Sequence, residues 1–249
     1  DVYKRQMIKF NVLTLFPEMF TALTDFSIIK RAIDNELIEI NLINFRDYSK
    51  DKHNKVDDYP YGGGSGMLLR ADVLKDCLED IKPKKLIYLS PKGKLFNQDL
   101  AKEYAKLDEI TILCGHYEGL DERIIQNYVD EELSIGDYVL TGGELPAMVI
   151  IDTVSRLVDS VIKEDSYSDE THMSNFLEYP QYTRPYDLDG DKVPDVLLSG
   201  NHQDVDDFRL IESFKATVKN RIDLLDFAKL DKKEMKNLRE ILNKLKKED

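Results

Sequence analysis

Cysteine and histidine are scarce in this sequence, and long apolar runs are absent. Its 249 residues include two cysteines and four histidines, whose positions match no metal-ligand spacing. No run of 18 apolar residues occurs, which excludes a membrane-spanning helix. Because both cysteines lie in ordinary helix-like or strand-like segments and no secretory signal peptide is present, we expect a reduced, cytoplasmic protein.

Several familiar catalytic motifs are absent as well. The loop Tyr61-Gly-Gly-Gly-Ser-Gly-Met67 lacks the Gly-Lys-Ser/Thr of a P-loop, which argues against nucleoside triphosphate hydrolysis. No Gly-x-Gly-x-x-Gly follows the first strand-like run, which argues against a dinucleotide-binding fold. Gly64-Ser65-Gly66 does not have the spacing around a nucleophilic serine. Asp187-Leu-Asp-Gly-Asp191 departs from a calcium loop, because its glycine comes too early.

Positive charge is in the minority. The chain carries 35 Lys and Arg against 48 Asp and Glu, a formal net charge of −13, which argues mildly against a nucleic-acid partner because phosphate binding needs cations. The distribution is uneven, since residues 207–249 hold 12 Lys and Arg against 9 Asp and Glu. Such an excess is typical of a solvated helical face, so the net charge leaves an RNA partner open.

The first six residues differ in character from the rest of the chain. Met7 starts an apolar, strand-like run, whereas one reverse translation of residues 1–6 matches a transposon end used to prepare sequencing libraries. We therefore expect residues 1–6 to be a non-native extension and Met7 to be the natural start.

Strand-like and helix-like segments alternate over the first two thirds of the chain. Apolar runs predict buried strands over Ile8–Phe16, Leu37–Phe45, Leu86–Leu89, Ile110–Cys114 and, less regularly, Val129–Ile135. Helical periodicity predicts helices over Glu18–Asn35, Ala71–Ile81, Asn97–Leu107, Asp121–Tyr128 and Glu144–Val161. This alternation predicts an α/β fold with a mainly parallel sheet and helices on both faces.

The composition changes after Val161. Residues 163–175 show no apolar periodicity and are predicted to form a flexible linker. Two further helices are predicted over Gln203–Asn220 and Lys232–Lys246. We therefore divide the chain into a domain of residues 7–162, a linker of residues 163–175 and a small helical domain of residues 176–249.

Three glycine-rich turns follow predicted strands. They are Leu89-Ser-Pro-Lys-Gly93, Cys114-Gly-His-Tyr-Glu-Gly119 and Ser134-Ile-Gly-Asp-Tyr-Val-Leu-Thr-Gly-Gly-Glu144. Glycine lets the backbone turn tightly and approach a ligand closely, and ligands of open α/β sheets bind at the carboxyl ends of strands. The long polar segment Asn44–Gly66 is also predicted to be a functional or mobile loop. These features predict a small-molecule site lined mainly by backbone.

Taken in order, the motifs resemble those of the bacterial tRNA (guanine-N1)-methyltransferases of the TrmD family. Besides the three turns, the matching elements are Leu15-Phe-Pro-Glu-Met-Phe20, Gly62–Met67, Leu145-Pro146, Tyr179-Pro-Gln-Tyr-Thr-Arg-Pro185 and Leu198-Ser-Gly-Asn-His202. Each element alone is weakly specific, but their common order from Met7 to about Leu225 makes the resemblance specific.

The resemblance implies a SPOUT-type fold, with a mainly parallel sheet, a C-terminal trefoil knot and a small all-α C-terminal domain that binds tRNA. It also implies a homodimer with active sites at the subunit interface. S-adenosyl-L-methionine would be bound by the knotted loops, at Tyr88, Leu89, Ser90, Pro91, Gly115, Tyr117, Glu118, Ser134, Ile135, Gly136, Asp137, Tyr138, Val139, Leu140, Gly142 and Gly143. Magnesium (Mg2+) could assist, but no residue is assigned to it as a ligand.

The reaction that the resemblance implies is methyl transfer to N1 of the guanosine at tRNA position 37, directly 3′ of the anticodon. This nitrogen carries a proton at neutral pH, so a general base must remove it, and a cation should stabilise charge on the guanine oxygen. Arg156 matches the family's arginine. Counting ten residues back from Pro180 places the family's carboxylate base at Glu170, with Asp169 as the second candidate and Asp165 as the third.

Two other functions remain open at this point. A Rossmann-like enzyme that acts on a small metabolite would need neither RNA nor the C-terminal helical domain. A non-catalytic RNA-binding protein on the same fold would bind tRNA without methyl transfer. Its only support is that the general base does not match the family pattern uniquely.

Overall fold

The computed structural model describes residues 7–162 and 176–225, together with Lys232, Met235, Lys236 and Arg239. The chain divides into two compact units, Asp1–Glu164 and Asp165–Asp249. The predicted linker 163–175, residues 1–6 and most of the predicted helix Lys232–Lys246 lie outside the described residues.

A parallel sheet forms the centre of the first unit. The strands of this unit are β1 (Ile8–Thr14), β2 (Ile38–Asn44), β3 (Asp57–Asp58), β4 (Leu68–Leu69), β5 (Leu86–Leu95), β6 (Glu109–Cys114) and β7 (Glu131–Ser134). Five of them pair in the order β2-β1-β6-β5-β7, and every neighbouring pair in this sheet is parallel. The helices are α1 (Thr21–Thr24), α2 (Ser27–Asp34), α3 (Ala71–Ile81), α4 (Gln98–Tyr104), α5 (Glu122–Tyr128) and α6 (Glu144–Ser155).

Helices cover both faces of this sheet. Successive side chains of a strand point to opposite faces, so the apolar strands bury residues on each side. Phe10 and Ile112 pack with apolar residues of α2, α4 and α6, whereas Leu13 and Leu113 pack with those of α3 and α5. The predicted α/β fold, with a mainly parallel sheet and helices on both faces, is confirmed.

The predicted helix Glu18–Asn35 is interrupted. A 3-10 turn at Pro17–Phe20 leads into α1, and α2 begins only at Ser27, after an extended Phe26 with φ of −135° and ψ of 156°. The Thr24 hydroxyl lies 3.2 Å from the Phe20 carbonyl oxygen and 2.9 Å from the Asp25 carboxylate. Such local side-chain hydrogen bonds compete with continuation of a helix.

Two other segments differ from the expected pattern. The polar segment Asn44–Gly66 contains a 3-10 turn at Phe45–Tyr48 and strand β3, which pairs antiparallel with β4. The last helix of the first unit ends at Ser155, earlier than the predicted Val161, and continues as turns.

The second unit contains α7 (His202–Asn220) and a short hairpin of β8 (Asp187–Leu188) and β9 (Asp191–Lys192). Phe176, Phe214 and Leu225 form its small core. The hairpin is a difference from the predicted all-α domain. Its two turn residues are Asp189 and Gly190, both with positive φ, and Asp-Gly is the dipeptide that favours a two-residue hairpin turn.

Glu131, at the start of β7, links the sheet to α4. Its carboxylate accepts a hydrogen bond from the Tyr104 hydroxyl at 2.7 Å and lies 3.1 Å from the Lys85 ammonium group. Burial acts to raise the pKa of this carboxyl, but the hydrogen bonds from Tyr104 and Lys85 outweigh it, so the pKa lies below its ordinary value.

This lowered pKa makes stability depend on pH. The carboxylate stabilises the folded state above pH 4.5, its ordinary pKa, and the contribution is lost as the pH falls through the lower folded-state value. We expect Glu131→Gln to reduce the free energy of unfolding by about 1 kcal/mol at pH 7, with a smaller difference from the unsubstituted protein below pH 4.5. Urea unfolding from pH 7 to acidic pH measures this, and an equal loss at every pH would contradict it.

Candidate functional site

The irregular part of β5 between Leu89 and Lys94 and the loops that follow β6 and β7 meet at the carboxyl edge of the sheet. The turn Leu89–Gly93, predicted to follow a strand that ends at Leu89, thus lies within β5, which continues to Leu95. Strands β5, β6 and β7 are parallel, with β5 between the other two, so their ends lie side by side. The loops enclose a cavity of about 270 Å³, close to the lower end of the range for small-molecule sites. The structure therefore brings the three glycine-rich turns together, as the alternation of strands and helices predicted.

Fifteen of the sixteen positions matched to cofactor binding line this cavity. They are Tyr88, Leu89, Ser90, Pro91, Gly115, Tyr117, Glu118, Ser134, Ile135, Gly136, Tyr138, Val139, Leu140, Gly142 and Gly143. Asp137 is the exception, since it belongs to the same loop as Gly136 and Tyr138 but is not a lining residue. Lys92, His116, Glu122, Glu132 and Thr141 also line the cavity, although the sequence analysis did not select them.

Hydrogen bonds between residues close in sequence shape the loop after β7. The Ser134 hydroxyl donates to the Gly136 carbonyl oxygen at 2.9 Å, and the Tyr138 hydroxyl donates to the Ile135 carbonyl oxygen at 3.3 Å. At the end of this loop, the Gly143 N–H donates to the Gly115 carbonyl oxygen at 2.9 Å. The loops after β6 and β7 are thus joined backbone to backbone.

The cavity combines acidic side chains with an apolar mouth. Glu118, Glu122 and Glu132 line it together with a single lysine, Lys92. Tyr117, Tyr138, Val139 and Leu140 line the same cavity and are exposed. Exposed apolar side chains that are grouped in this way are typical of a binding surface, and the carboxylates favour a ligand that carries positive charge.

Two ionisable groups are held in their neutral forms, Tyr88 in the cavity lining and Cys114 at the buried end of β6. Burial, and to a lesser extent the charge of Glu144, raises the pKa of the Cys114 thiol well above its usual value. Burial, followed by the charge of Glu132, raises the pKa of Tyr88 to about 12. A thiol acts as a nucleophile only as thiolate, so at neutral pH neither group can serve as nucleophile or base.

The catalytic residues implied by the resemblance fall in different parts of the chain. Arg156 is the C-cap residue of α6, with φ of −66° and ψ of −16°, and it is half-buried. Its backbone N–H donates to the Asp152 carbonyl oxygen at 3.2 Å. Glu170, Asp169 and Asp165 lie outside the described residues, so the position of the general base stays a prediction.

Neither a metal cluster nor a membrane span is found in residues 7–162 and 176–225 and the four described residues beyond them. No group of three or more His, Cys, Asp or Glu in this part of the chain is placed to hold a metal ion. No helix described here is long and apolar enough to cross a membrane.

A buried polar cluster next to the cavity was missed by the sequence analysis. The Thr14 hydroxyl donates to Glu144 Oε1 at 2.7 Å, and His116 Nε2 lies 2.8 Å from Glu144 Oε2. His116 and Glu144 belong to the glycine-rich turns, which was a usable signal. Thr14 precedes Glu144 by 130 positions, and no local pattern relates the two.

A second, wider groove of about 950 Å³ lies beside Tyr59 and Tyr61. Its two arginines, Arg70 and Arg123, each pair with an aspartate that is two positions away in sequence. Because these pairs neutralise its positive charge, the groove offers less specific chemistry than the cavity at the strand ends.

The fold and the cavity define an α/β protein with a small-molecule site at the carboxyl edge of a parallel sheet. A family model described as tRNA (Guanine-1)-methyltransferase TrmD matches residues 8–227. The chain belongs to this family of methyltransferases, which confirms both the resemblance and the prediction of an enzyme.

Relatives in three bacteria span almost the whole chain, each named tRNA (guanine-N(1)-)-methyltransferase. The protein of Ruminiclostridium cellulolyticum is 55% identical over 234 residues, which cover 92% of this chain and 100% of the relative. For the protein of Fusobacterium nucleatum the identity is 50% over 242 residues, which cover 97% of this chain and 100% of the relative. For Clostridioides difficile the identity is 50% over 224 residues, which cover 87% of this chain and 97% of the relative.

The loop Gly62–Met67 contacts the cavity through Glu118. The Glu118 N–H donates to the Met67 carbonyl oxygen at 3.0 Å, and the Leu69 N–H donates to the Gly119 carbonyl oxygen at 3.0 Å. Gly66 has φ of +88°, and a Cβ added there would overlap the Glu118 side chain. The missing side chain at Gly66 is therefore what lets Glu118 lie where it does.

We expect Gly66→Ala to displace the Glu118 carboxylate from the cavity wall. Gly63→Ala is the matched control, because Gly63 has φ of +80° but open space around an added Cβ. Both variants should lose about 1 kcal/mol of stability from backbone strain, and only Gly66→Ala should move Glu118. Urea unfolding and crystal structures of both variants measure these effects. An unmoved Glu118 in Gly66→Ala would show that the loop does not set its position.

Proposed function

We propose that the chain transfers a methyl group from S-adenosyl-L-methionine to N1 of the guanosine at tRNA position 37. The observation that carries this proposal is the cavity at the strand ends, which is lined by fifteen of the sixteen positions matched to cofactor binding. Membership of the tRNA (guanine-1)-methyltransferase family supports the reaction and the class of acceptor.

The chemistry of the cavity suits this methyl donor. When bound, the cofactor supplies the methyl group as part of a positively charged sulfonium. Ile135, Tyr138 and Leu140 line the cavity and can pack against the faces of an adenine ring. Glu118 and Glu132 can attract the positive charges of the sulfonium and amino groups, and Lys92 can pair with the carboxylate.

The acceptor nitrogen has to lose a proton before it can accept the methyl group. Burial keeps Cys114 and Tyr88 protonated at neutral pH, so neither group provides the base. We assign proton removal to Glu170, with Asp169 and Asp165 as the alternatives. Arg156 would stabilise the negative charge that develops on the guanine oxygen.

The path of the chain after β7 supports the proposed trefoil knot. Strand β7 lies at the sheet edge beside β5, yet α6 packs against β1 and β6. Residues 135–143 therefore cross over the ends of β5 and β6. Strand β5 also leaves the sheet between Leu89 and Lys94, since both are in register with Leu133, and this produces a loop around which the crossing segment can thread.

The surface of α6 supports a homodimer. Its outer side exposes Leu145 and Val149, at 50% and 45%, although its inner side is buried in the core. The 3-10 turn at Pro17–Phe20 packs against α6 and exposes Met19 at 42%. An apolar face of this kind is typical of a protein interface, and a two-fold symmetric dimer would cover the same face on both copies.

Transfer of a labelled methyl group to an unmodified tRNA transcript tests the activity. With guanosines at positions 36 and 37, we expect methylation of the second alone. Glu170→Ala should abolish transfer, and Arg156→Ala should lower kcat by about 10² to 10³, the usual loss when a donor to a developing oxyanion is removed. Cofactor and tRNA binding should persist in both variants.

Matched variants separate the remaining possibilities. Asp169→Ala should keep its activity; loss in this variant instead of Glu170→Ala would move the base by one residue. If the unsubstituted protein binds cofactor and tRNA without transfer, it is a non-catalytic RNA-binding protein. If it binds neither, the metabolite-enzyme hypothesis returns.

The dimer is tested by Val149→Glu. A carboxylate at the centre of the apolar face of α6 should dissociate the dimer and abolish methyl transfer, while the circular dichroism spectrum stays unchanged. Phe26→Glu is the control, since Phe26 is an exposed apolar residue in the turn before α2 and should leave a dimer. Sedimentation velocity gives the oligomeric state, and a fully active monomer would overturn this part of the proposal.

A further inference from the structure

One buried carboxylate joins three separate segments next to the cavity. Glu144 is 1% exposed and starts α6 directly after the loop that follows β7. Its Oε1 accepts a hydrogen bond from Thr14, the last residue of β1, and its Oε2 contacts His116 in the loop after β6. Glu144 thus connects the end of the first strand with both loops that form the cavity walls.

The direction of these hydrogen bonds is defined by their surroundings. The Thr14 hydroxyl accepts a hydrogen bond from the Phe16 N–H at 2.9 Å, so its own proton points to Glu144. Because a carboxylate oxygen can only accept, we assign the donor role in this contact to His116 Nε2. The ring orientation of His116 is therefore set by Glu144.

His116 connects Glu144 to the cavity. Its side chain is 17% exposed and lines the cavity wall. The ring contacts Phe16 edge-on, with centroids 5.0 Å apart, and Tyr117, with centroids 6.2 Å apart. The position of His116 is thus coupled to that of Tyr117, which also lines the cavity.

The loop after β7 packs directly against the same pair. A Cβ added at Gly142 would lie 2.5 Å from His116 Nε2 and 2.6 Å from Glu144 Oε2. Together with the hydrogen bond from Gly143 to Gly115, this contact fixes the spacing between the two loops. Any rearrangement of the pair would change the width of the cavity.

We propose that Glu144 and His116 are positioning residues for the methyl donor. They hold the loops after β6 and β7 at the separation that the cofactor requires, and Thr14 fixes the carboxylate. This inference rests on the proposed function, because it takes the cavity to be the cofactor site. A buried polar pair does not by itself indicate a role in stability, whereas the contacts of Glu144 and His116 with both cavity walls link the pair to ligand binding.

The test compares cofactor affinity with stability in Glu144→Gln. The glutamine keeps the volume but turns an amide N–H₂ or a neutral oxygen toward His116, so the ring loses its fixed acceptor. We expect S-adenosyl-L-homocysteine, measured by calorimetry, to bind about tenfold more weakly, which corresponds to about 1.4 kcal/mol. In steady-state assays, KM for S-adenosyl-L-methionine should rise while kcat at saturation and KM for tRNA stay close to their original values.

Glu131→Gln is the matched control. Glu131 also accepts a hydrogen bond from a hydroxyl group, at 2.7 Å, but it lies at the opposite end of β7 and outside the cavity lining. This variant should lose stability and keep its cofactor affinity. If both glutamine variants lower the melting temperature and neither changes affinity, Glu144 has only a structural role and the inference fails.

Two further variants keep the outcome decisive. Should Glu144→Gln not fold, Thr14→Val removes one donor to the carboxylate at nearly constant volume and should weaken cofactor binding several-fold. His116→Ala combined with Thr14→Val should cost less affinity than the two single losses together, because the residues act through one carboxylate. Additive losses would contradict the coupling. Absence of cofactor binding by the unsubstituted protein would instead refute the proposed function.

Discussion

A carboxylate in the interior of a protein needs partners, because removing one partner of a buried pair costs about 3–5 kcal/mol. Glu144 meets this requirement with Thr14 and His116, from two segments that are far from it in sequence. The requirement fixes where α6 begins relative to the ends of β1 and β6. Since the loop after β7 leads directly into α6, its last residues have no freedom to lie elsewhere. The shape of the cavity therefore depends on one polar contact as well as on the sheet.

The sheet supplies the other half of this constraint. Strands β5, β6 and β7 are parallel neighbours, so the irregular part of β5 and the loops after β6 and β7 lie at one edge. Only loops with little side-chain volume can pass this close together, and the Gly143–Gly115 hydrogen bond shows that the backbones meet without intervening side chains. What remains between the loops is a cavity whose walls combine glycines with the side chains of Tyr88, Tyr117 and Tyr138. Such walls suit a ligand that is recognised by its edges and flat faces.

The features that could be predicted from the sequence are those with a local signal. The strand Ile110–Cys114 and the turn after it could be predicted, because a run of β-branched residues favours a strand and the glycines that follow favour a turn. The break at Phe26 could not, since the apolar periodicity continues through it although Phe26 is extended and Ser27 has a φ of +57°. The hairpin at Asp189 was missed, although its Asp-Gly dipeptide is a local signal for a two-residue turn. The contact between Thr14 and Glu144 depends on tertiary packing, for which the sequence has no local signal.

The proposed division of roles between the units depends on what the cavity contains. Cys114 and Tyr88 are held protonated by burial, so the packing around the strand ends removes these two groups as nucleophiles at neutral pH. A site of this kind can bind a methyl donor without consuming it. Glu118, Glu122 and Glu132 also line the cavity, but we assign removal of the acceptor proton to a carboxylate among residues 165–170. Under the proposal, binding of the methyl donor and activation of the acceptor are thereby assigned to different groups.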